Sequence, residues 1–311
     1  MRIFGPIPSR RLGRSLGINH IPPKTCSYSC VYCQVGRTDA MTLARGTFYD
    51  PEHIVSEVRN KVSQVLQQGE KIDYITFVPD GEPTLDVNLG RMATMLKDLE
   101  IPLAVISNGS LMWMEDVREE VMLMDWVSLK ADSVVKETWK MVDRPHGQLE
   151  LKRIMDGYLE FADSFQGKLN SETMLVKGVN DSEVSLRETA AFLADLSPEI
   201  AYISIPTRPP AEKNVEQAEE DAINRAFHIF SEKLDKVELL IGFEGDEFSS
   251  TGNIENDLLS ITAVHPMRTE QVERVLLECG ESWGSVEKLV NEGKLLKLSY
   301  RDKTFYLRSL K

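Results

Sequence analysis

Cys26-Ser27-Tyr28-Ser29-Cys30-Val31-Tyr32-Cys33 places three of the chain's four cysteines within eight residues, at C-x3-C-x2-C spacing. Three thiolates on one short irregular loop can converge on a single inorganic centre, and thiolate ligation of this kind is how iron–sulfur clusters are held. With no fourth protein ligand, one iron of a four-iron cluster stays open to another molecule. A structural zinc site needs four ligands, normally in C-x2-4-C pairs. Here the fourth would be His20 or the distant Cys279, and no second pair exists. A disulfide framework does not suit an odd cluster in a chain without a secretory leader. Inert core cysteines do not suit a stretch set between Pro22-Pro23 and Gly36-Arg37.

The bulk numbers fit that reading. A length of 311 residues allows one large domain and one small one. An apolar content of 42% and a charged content of 27% are ordinary for a water-soluble globular chain. No apolar run is long enough to span a membrane, and no charged n-region with an apolar h-region opens the chain. The expectation is a cytoplasmic protein without a membrane partner. The net charge of −13 argues against a general nucleic-acid binder. It is unevenly spread: residues 1–46 carry Arg2, Arg10, Arg11, Arg14, Lys24, Arg37 and Arg45 against Asp39 alone. An anion would be drawn to that basic end. Arg10 and Arg11, in a loop after Pro8, are candidate substrate contacts because the planar guanidinium suits carboxylate and phosphate.

Beyond the cysteines the pattern alternates. Asp50-Pro51 opens a helix, with an N-cap residue followed by proline at the first helical position. Ile54, Val55, Val58, Val62, Val65 and Leu66 then recur at helical spacing up to Gly69. A short strand leads into the cysteine loop at Leu16–Asn19, and further strands are predicted at 73–79, 103–107, 126–130, 171–177, 202–205 and 237–241. Helices are predicted between them at 114–124, 149–165, 183–196 and 215–234. Regular strand–helix alternation gives a parallel sheet, and six or seven units fit an α/β fold with a partial (β/α)6 barrel open on one side. In such barrels the chemistry lies at the C-terminal ends of the strands. Pro79-Asp80-Gly81-Glu82-Pro83-Thr84 follows the second strand, where Gly81 permits close backbone approach and Glu82 can accept from an ammonium. Ser107-Asn108-Gly109 follows the third. In Ser128-Leu129-Lys130-Ala131-Asp132, after the fourth, alternation sends Ser128, Lys130 and Asp132 to one side. Polar groups inside a barrel are costly unless they serve a ligand or one another, so a Lys130–Asp132 ion pair is the competing reading. Residues 244–256 read as a linker. From 257 to 311 three helices (257–264, 269–279, 282–291) and a strand pair (295–300, 305–307) resemble a winged helix. Nine basic residues face seven acidic ones over 258–311, and Cys279 suits a small core residue.

Taken in order, the cysteine loop, Gly81-Glu82-Pro83, Ser107-Asn108-Gly109 and Ser128 to Asp132 resemble the radical S-adenosylmethionine (radical SAM) superfamily over roughly residues 14–210. The resemblance implies a [4Fe–4S] cluster on Cys26, Cys30 and Cys33, with S-adenosylmethionine (SAM) chelated to the remaining iron. It implies Tyr32, Gly81, Glu82, Ser107, Asn108, Ser128, Lys130 and Asp132 as cofactor-binding residues, Glu82 on the amino group of SAM and Lys130 on its carboxylate. Asp80 stands where the family's G-G-E-P motif has glycine. The implied activity is that of a radical SAM iron–sulfur oxidoreductase or transferase. It would cleave SAM reductively, with an electron from a donor such as flavodoxin or ferredoxin, to a 5′-deoxyadenosyl radical that abstracts hydrogen from a substrate. The opening Pro8-Ser9-Arg10-Arg11-Leu12-Gly13-Arg14 resembles the group containing the tRNA wyosine-forming enzymes, without their additional N-terminal cysteines. RNA is thus one substrate class. A protein or peptide, as for radical activases, is another. A non-enzymatic iron–sulfur sensor with a DNA-binding winged helix is the third reading.

Overall fold

A computed structural model describes residues 2–240, 254–264, 266–300 and 303–309. In chain order the first elements are β1 (Ile3–Ser9), β2 (Gly13–Ile18), β3 (Thr25–Cys26), β4 (Ala40–Met41), α1 (Pro51–Gln67), β5 (Tyr74–Phe77), α2 (Leu89–Leu96) and β6 (Leu103–Ser107). They continue with α3 (Glu115–Val121), β7 (Trp126–Lys130), α4 (Lys136–Asp143), α5 (Leu151–Ser164), β8 (Lys168–Met174), α6 (Glu183–Leu196), β9 (Ile200–Ser204), α7 (Glu220–Ser231) and β10 (Val237–Leu240). The C-terminal elements are α8 (Ile254–Val264), β11 (Met267–Arg268), α9 (Thr269–Cys279), α10 (Gly284–Asn291), β12 (Leu295–Tyr300) and β13 (Lys303–Arg308).

One sheet runs β1-β2-β5-β6-β7-β8-β9-β10. Every pair from β2 onward is parallel, and only β1 joins antiparallel. This is the α/β architecture of the expected partial barrel, with an antiparallel strand added ahead of it. The helices form for local reasons. Asp50 accepts the backbone N–H of His53 (3.1 Å), and Pro51 starts α1 where no N–H is needed. Ile54, Val55, Val58, Val62 and Val65 bury one face of it against the sheet. At about 1.5–3 kcal/mol per buried aliphatic side chain, that stripe decides where α1 lies. Ile75 and Phe77, on alternate positions of β5, are fully buried under the helices.

Several expected boundaries move. The strand predicted at 171–177 is β8 at Lys168–Met174, because Asn180 bends the apolar run Leu175-Val176 away. Its side-chain oxygen accepts Val176 N–H and its amide donates to the carbonyls of Asp132 and Met174, each at 2.8 Å. The helix predicted at 215–234 spans only α7, since Gln217 bridges to Val176 and donates to the Pro206 carbonyl (2.7 Å). Helix α4 had no counterpart in the sequence reading. A second apolar cluster gathers Leu258, Ile261, Val272, Val275, Leu289 and Tyr306, and Ile7 of β1 packs against it. Here β13 pairs antiparallel with both β11 and β12. Most of the expected linker 244–256 lies outside the described residues, and α8 opens at Ile254, three residues before 257. No helix among the described residues is long and apolar enough to cross a membrane.

Candidate active site

The cysteine loop leaves the C-terminal end of β2 and is fastened by its backbone. Ser29 N–H and Val31 N–H donate to the carbonyls of Asp143 (3.0 Å) and Val142 (2.9 Å) at the end of α4, where Arg144 takes a left-handed turn. Cys33 N–H donates to Cys30 O (3.1 Å), and Gly36, at φ +98°, turns the chain back toward Cys33 O (3.2 Å). The buried Tyr28 accepts from Trp139 Nε1 (3.1 Å) and tilts edge-on against its ring. Over this loop folds the segment after β9. Glu212 N–H donates to Val31 O (3.1 Å), and its carboxylate receives the Arg37 fork (2.8 Å to each oxygen) and Arg144. Those hydrogen bonds from Arg37 and Arg144 hold the Glu212 carboxyl down at about 2. Neither α4 nor Glu212 adjoins the cysteines in sequence, so only the fold brings them there.

All three cysteines line one cavity of about 380 Å³ at the C-terminal end of the sheet. That is the size of a small-molecule site. Burial pushes Cys26 up to about 12, Cys30 well above the ordinary thiol range and Cys33 upward. Thiolates at these positions therefore call for a cationic metal centre. No three metal-binding side chains among the described residues close on a single ion. Three cysteines without a fourth protein ligand suit an iron–sulfur cluster better than a structural zinc site, which takes four. Asn108 Nδ2 donates toward Cys26 Sγ (3.4 Å), the kind of outer-shell donor that tunes a ligating thiolate. Cys30 Sγ approaches Asp143 Oδ1 (3.3 Å). The donor set fits an iron–sulfur cluster.

Around this centre the residues singled out in the sequence separate into two groups. Gly81, Asn108, Tyr32 and Lys130 line the cavity. Glu82 lies outside its wall, 1% exposed. One oxygen of Glu82 accepts from Thr84 N–H (3.1 Å), Thr84 Oγ1 (2.6 Å) and Ser107 Oγ (2.6 Å); the other accepts from Asn108 N–H (2.8 Å). Burial raises its carboxyl against the pull of these donors. Glu82 thereby fixes the turn that carries Asn108 to Cys26. Two residues before it, Asp80 does line the cavity, as Glu172 does; burial pushes the Asp80 carboxyl up to about 6, and Asn19 Nδ2 holds it (2.8 Å). Backbone approach at Gly81 is as close as its residue type suggested: a Cβ there would run into the Thr25 carbonyl oxygen, next to Cys26. Gly81→Ala should therefore cost about 1–3 kcal/mol in denaturant unfolding, by overpacking, and lower iron content per chain after reconstitution.

Lys130 is paired as its alternating position allowed. Its ammonium sits 3.3 Å from Asp132 and 3.3 Å from Glu172, 5.0 Å over the Tyr32 ring. Tyr32 donates its hydroxyl to Asp132, whose other oxygen accepts Met174 N–H (2.7 Å). Glu172 also receives Arg11 and Ser204 Oγ (2.9 Å). Glu172 is not among the residues expected at the site, although a carboxylate inside a buried strand is itself a signal. Ser128 points to the same side one step below, 1% exposed, with its hydroxyl unpartnered like Asn170 Oδ1 on the neighbouring strand. The basic N-terminal segment is largely neutralised within the fold. Arg2 pairs with Glu57, Arg11 with Glu172, Arg14 with Glu70, Lys24 with Asp39, Arg37 with Glu212 and Arg45 with Asp116. It does not present an open basic face.

The family model described as Radical SAM superfamily matches residues 21–190, from the cysteine loop into α6. The chain is 47% identical over 310 residues to a UPF0026 protein of Methanocaldococcus jannaschii, covering 99% of this chain and 96% of that one. A radical SAM methyltransferase from Sphaerobacter thermophilus superposes with a TM-score of 0.57 at 14% identity, over 73% of this chain and 66% of that one. TYW1 with a lysine-pyruvate adduct bound gives 0.54 at 15% identity, over 71% and 74%. At such identities the two solved structures share the fold.

Proposed function

Because the chain belongs to the radical SAM superfamily, enzymes that use a [4Fe–4S] cluster and SAM, we propose that Cys26, Cys30 and Cys33 ligate the cluster and that the cavity beside them binds SAM. The observation that carries this assignment is the placement of all three cysteines on the wall of one cavity the size of a small-molecule site. When bound and reduced, the cluster supplies the electron that splits SAM into methionine and a 5′-deoxyadenosyl radical for hydrogen abstraction. The chain's own residues bind, orient and shield. Asp80 and Lys130 are the charged side chains we assign to the ammonium and carboxylate of SAM. An ammonium has three donors, and with two on Asp132 and Glu172 the third can serve the ligand. Asn108 positions Cys26, and Glu82 with Ser107 positions Asn108. Tyr32 and Asp132 hold the Lys130 ammonium in place, and Gly81 lets the backbone close on Thr25. Ser128 completes the polar side of β7 below Lys130.

We further assign residues 1–243 to the barrel and 257–311 to a winged-helix-like module docked on β1. The ion pairs of Arg2, Arg11, Arg14, Lys24, Arg37 and Arg45 weigh against a broad RNA-gripping face there. RNA and protein or peptide substrates are separated by one assay. Reconstituted, reduced protein is given SAM alone, SAM with bulk tRNA, or SAM with RNA-free protein extract, and 5′-deoxyadenosine is quantified. Stimulation by tRNA identifies an RNA-modifying enzyme, and stimulation by extract a protein or peptide substrate. An intact cluster with no deoxyadenosine in any tube would overturn the radical reading.

A further inference from the structure

Lys130, the ammonium assigned to the carboxylate of SAM, is not held by its own strand alone. It shares Glu172, its register partner on β8, with Arg11. The sharing is divided by atom. Glu172 Oε1 accepts from Lys130 Nζ (3.3 Å) and Ser204 Oγ (2.9 Å), whereas Oε2 accepts from Arg11 Nη1. Arg11 therefore fixes the rotation of the carboxylate that turns Oε1 toward Lys130. It also answers part of the charge. Burial alone would raise the Glu172 carboxyl, and Lys130 and Arg11 together hold it well below the usual carboxylate range. A buried carboxylate left with one cation in place of two draws that cation onto itself.

Arg11 comes from outside the strands it serves. It sits in the turn between β1 and β2, ahead of the residues 21–190 that the family model matches. Strands β5, β6 and β7 separate β2 from β8 in the sheet, so the guanidinium reaches Glu172 across the interior of the partial barrel. The turn is built for that reach. Ser9 Oγ accepts the N–H groups of Arg11 and Leu12 (3.3 Å each), and Asp73 Oδ2 accepts Arg14 N–H (2.8 Å). The buried Leu12 packs with Ala104, Trp126 and Tyr202, and the Arg11 guanidinium lies over the Tyr202 ring (6.0 Å). Only 16% of the Arg11 side chain is exposed, which sets it apart from a solvated surface arginine. Arg11, Lys130 and Glu172 all line the cavity assigned to SAM.

We propose that Arg11 is a positioning residue for SAM: by occupying Oε2 of Glu172 it leaves the third donor of Lys130 to the carboxylate of SAM. The proposal rests on the assignment of Lys130 to that carboxylate. SAM is titrated calorimetrically into reconstituted protein of matched iron content. The proteins compared are wild type, Arg11→Gln, Arg11→Lys, Glu172→Gln and the double variant Arg11→Gln/Glu172→Gln. Arg11→Gln is expected to weaken SAM about tenfold or more, and Arg11→Lys less, because the cation is restored. Glu172→Gln removes the charge that competes for Lys130. It should bind SAM within about threefold of wild type or more tightly, and adding Arg11→Gln to it should shift the affinity by less than about threefold. That rescue separates positioning from direct or merely structural roles. An arginine that itself grips SAM, or a turn that collapses without it, would weaken SAM as much in the Glu172→Gln background as in wild type. Either result overturns the proposal, as does Arg11→Gln protein with wild-type affinity. Should Arg11→Gln alone not fold, Glu172→Gln and the double variant still decide: equal affinity supports the proposal, and a tenfold gap between them overturns it. Wild type that binds no SAM defeats the cofactor assignment itself, whereas SAM binding indifferent to Arg11 defeats this proposal alone.

Discussion

Reconstituted Cys33→Ala protein is expected to lose the visible absorbance of an iron–sulfur cluster and to release at least about 100-fold less 5′-deoxyadenosine than wild type. On the proposed assignment the cluster's protein ligands are the three thiolates, and two hold it far less well than three. The carboxylate that meets the thiols, Asp143, approaches Cys30 and not Cys33 (Cys30 Sγ–Asp143 Oδ1 3.3 Å). The fold itself should survive. The loop is set by backbone bonds from Ser29, Val31 and Cys33 to carbonyl partners that the substitution leaves intact. Denaturant unfolding of the metal-free variant should therefore differ from wild type by only about 1 kcal/mol. Cys279→Ala is the matched control, because that thiol packs on the C-terminal apolar cluster. It should keep full absorbance and activity. A Cys33→Ala protein that retains a four-iron cluster would show that another ligand completes the site.

Lys130→Met is expected to destabilise the protein by about 3–5 kcal/mol, because it strands the buried carboxylates of Asp132 and Glu172 without their shared cation. Burial by itself would push the Glu172 carboxyl up, but Lys130 and Arg11 overcome it and hold the group well below the usual carboxylate range. Burial by itself would likewise lower Lys130, and the same two carboxylates raise it above the usual lysine range. The two signs bracket a pH window. Glu172, depressed in the fold, contributes fully above the unfolded carboxylate value of about 4.3 and loses that contribution as pH falls below it. Lys130, raised in the fold, contributes fully below the unfolded lysine value of about 10.4 and loses it as pH rises beyond. Wild-type unfolding midpoints should thus be insensitive to this cluster between those limits. In the variant Glu172 is held down less, so the loss of stability below about 4.3 should be smaller than in wild type. In a double-mutant cycle with Glu172→Gln, coupling of about 1 kcal/mol or more is expected, since the two groups are in contact. A Lys130→Met protein as stable as wild type across the range would show that the cluster is not a mutual compensation.

Much of the site was legible because its signals are local. The cysteine spacing, the glycine at 81 and the polar residues ending the strands all lie in segments whose neighbours in sequence are neighbours in space. The strands Leu103–Ser107 and Trp126–Lys130 and helices Glu183–Leu196 and Thr269–Cys279 stand where their periodicity placed them. What escaped is what depends on a distant partner. Glu172 looks like an isolated charge until Lys130 and Arg11 reach it across β7 and the β1–β2 turn. Glu212 looks like loop until Arg37 and Arg144 close on it. The basic N-terminus reads as an open charged face until each acid that meets it is seen.

The sequence by itself determined that this is a radical SAM chain, because a cluster loop and the motifs at strand ends are short-range patterns set by ligand spacing and backbone conformation. Only the tertiary structure decided which of the two carboxylates after β5 lines the cofactor cavity. Glu82 and Asp80 are two residues apart, and the difference between them is burial. Four donors from Thr84, Ser107 and Asn108 draw the first inward, while Asn19 holds the second at the cavity wall. Desolvation and hydrogen bonding act on groups gathered in space, and no spacing along the chain records that gathering.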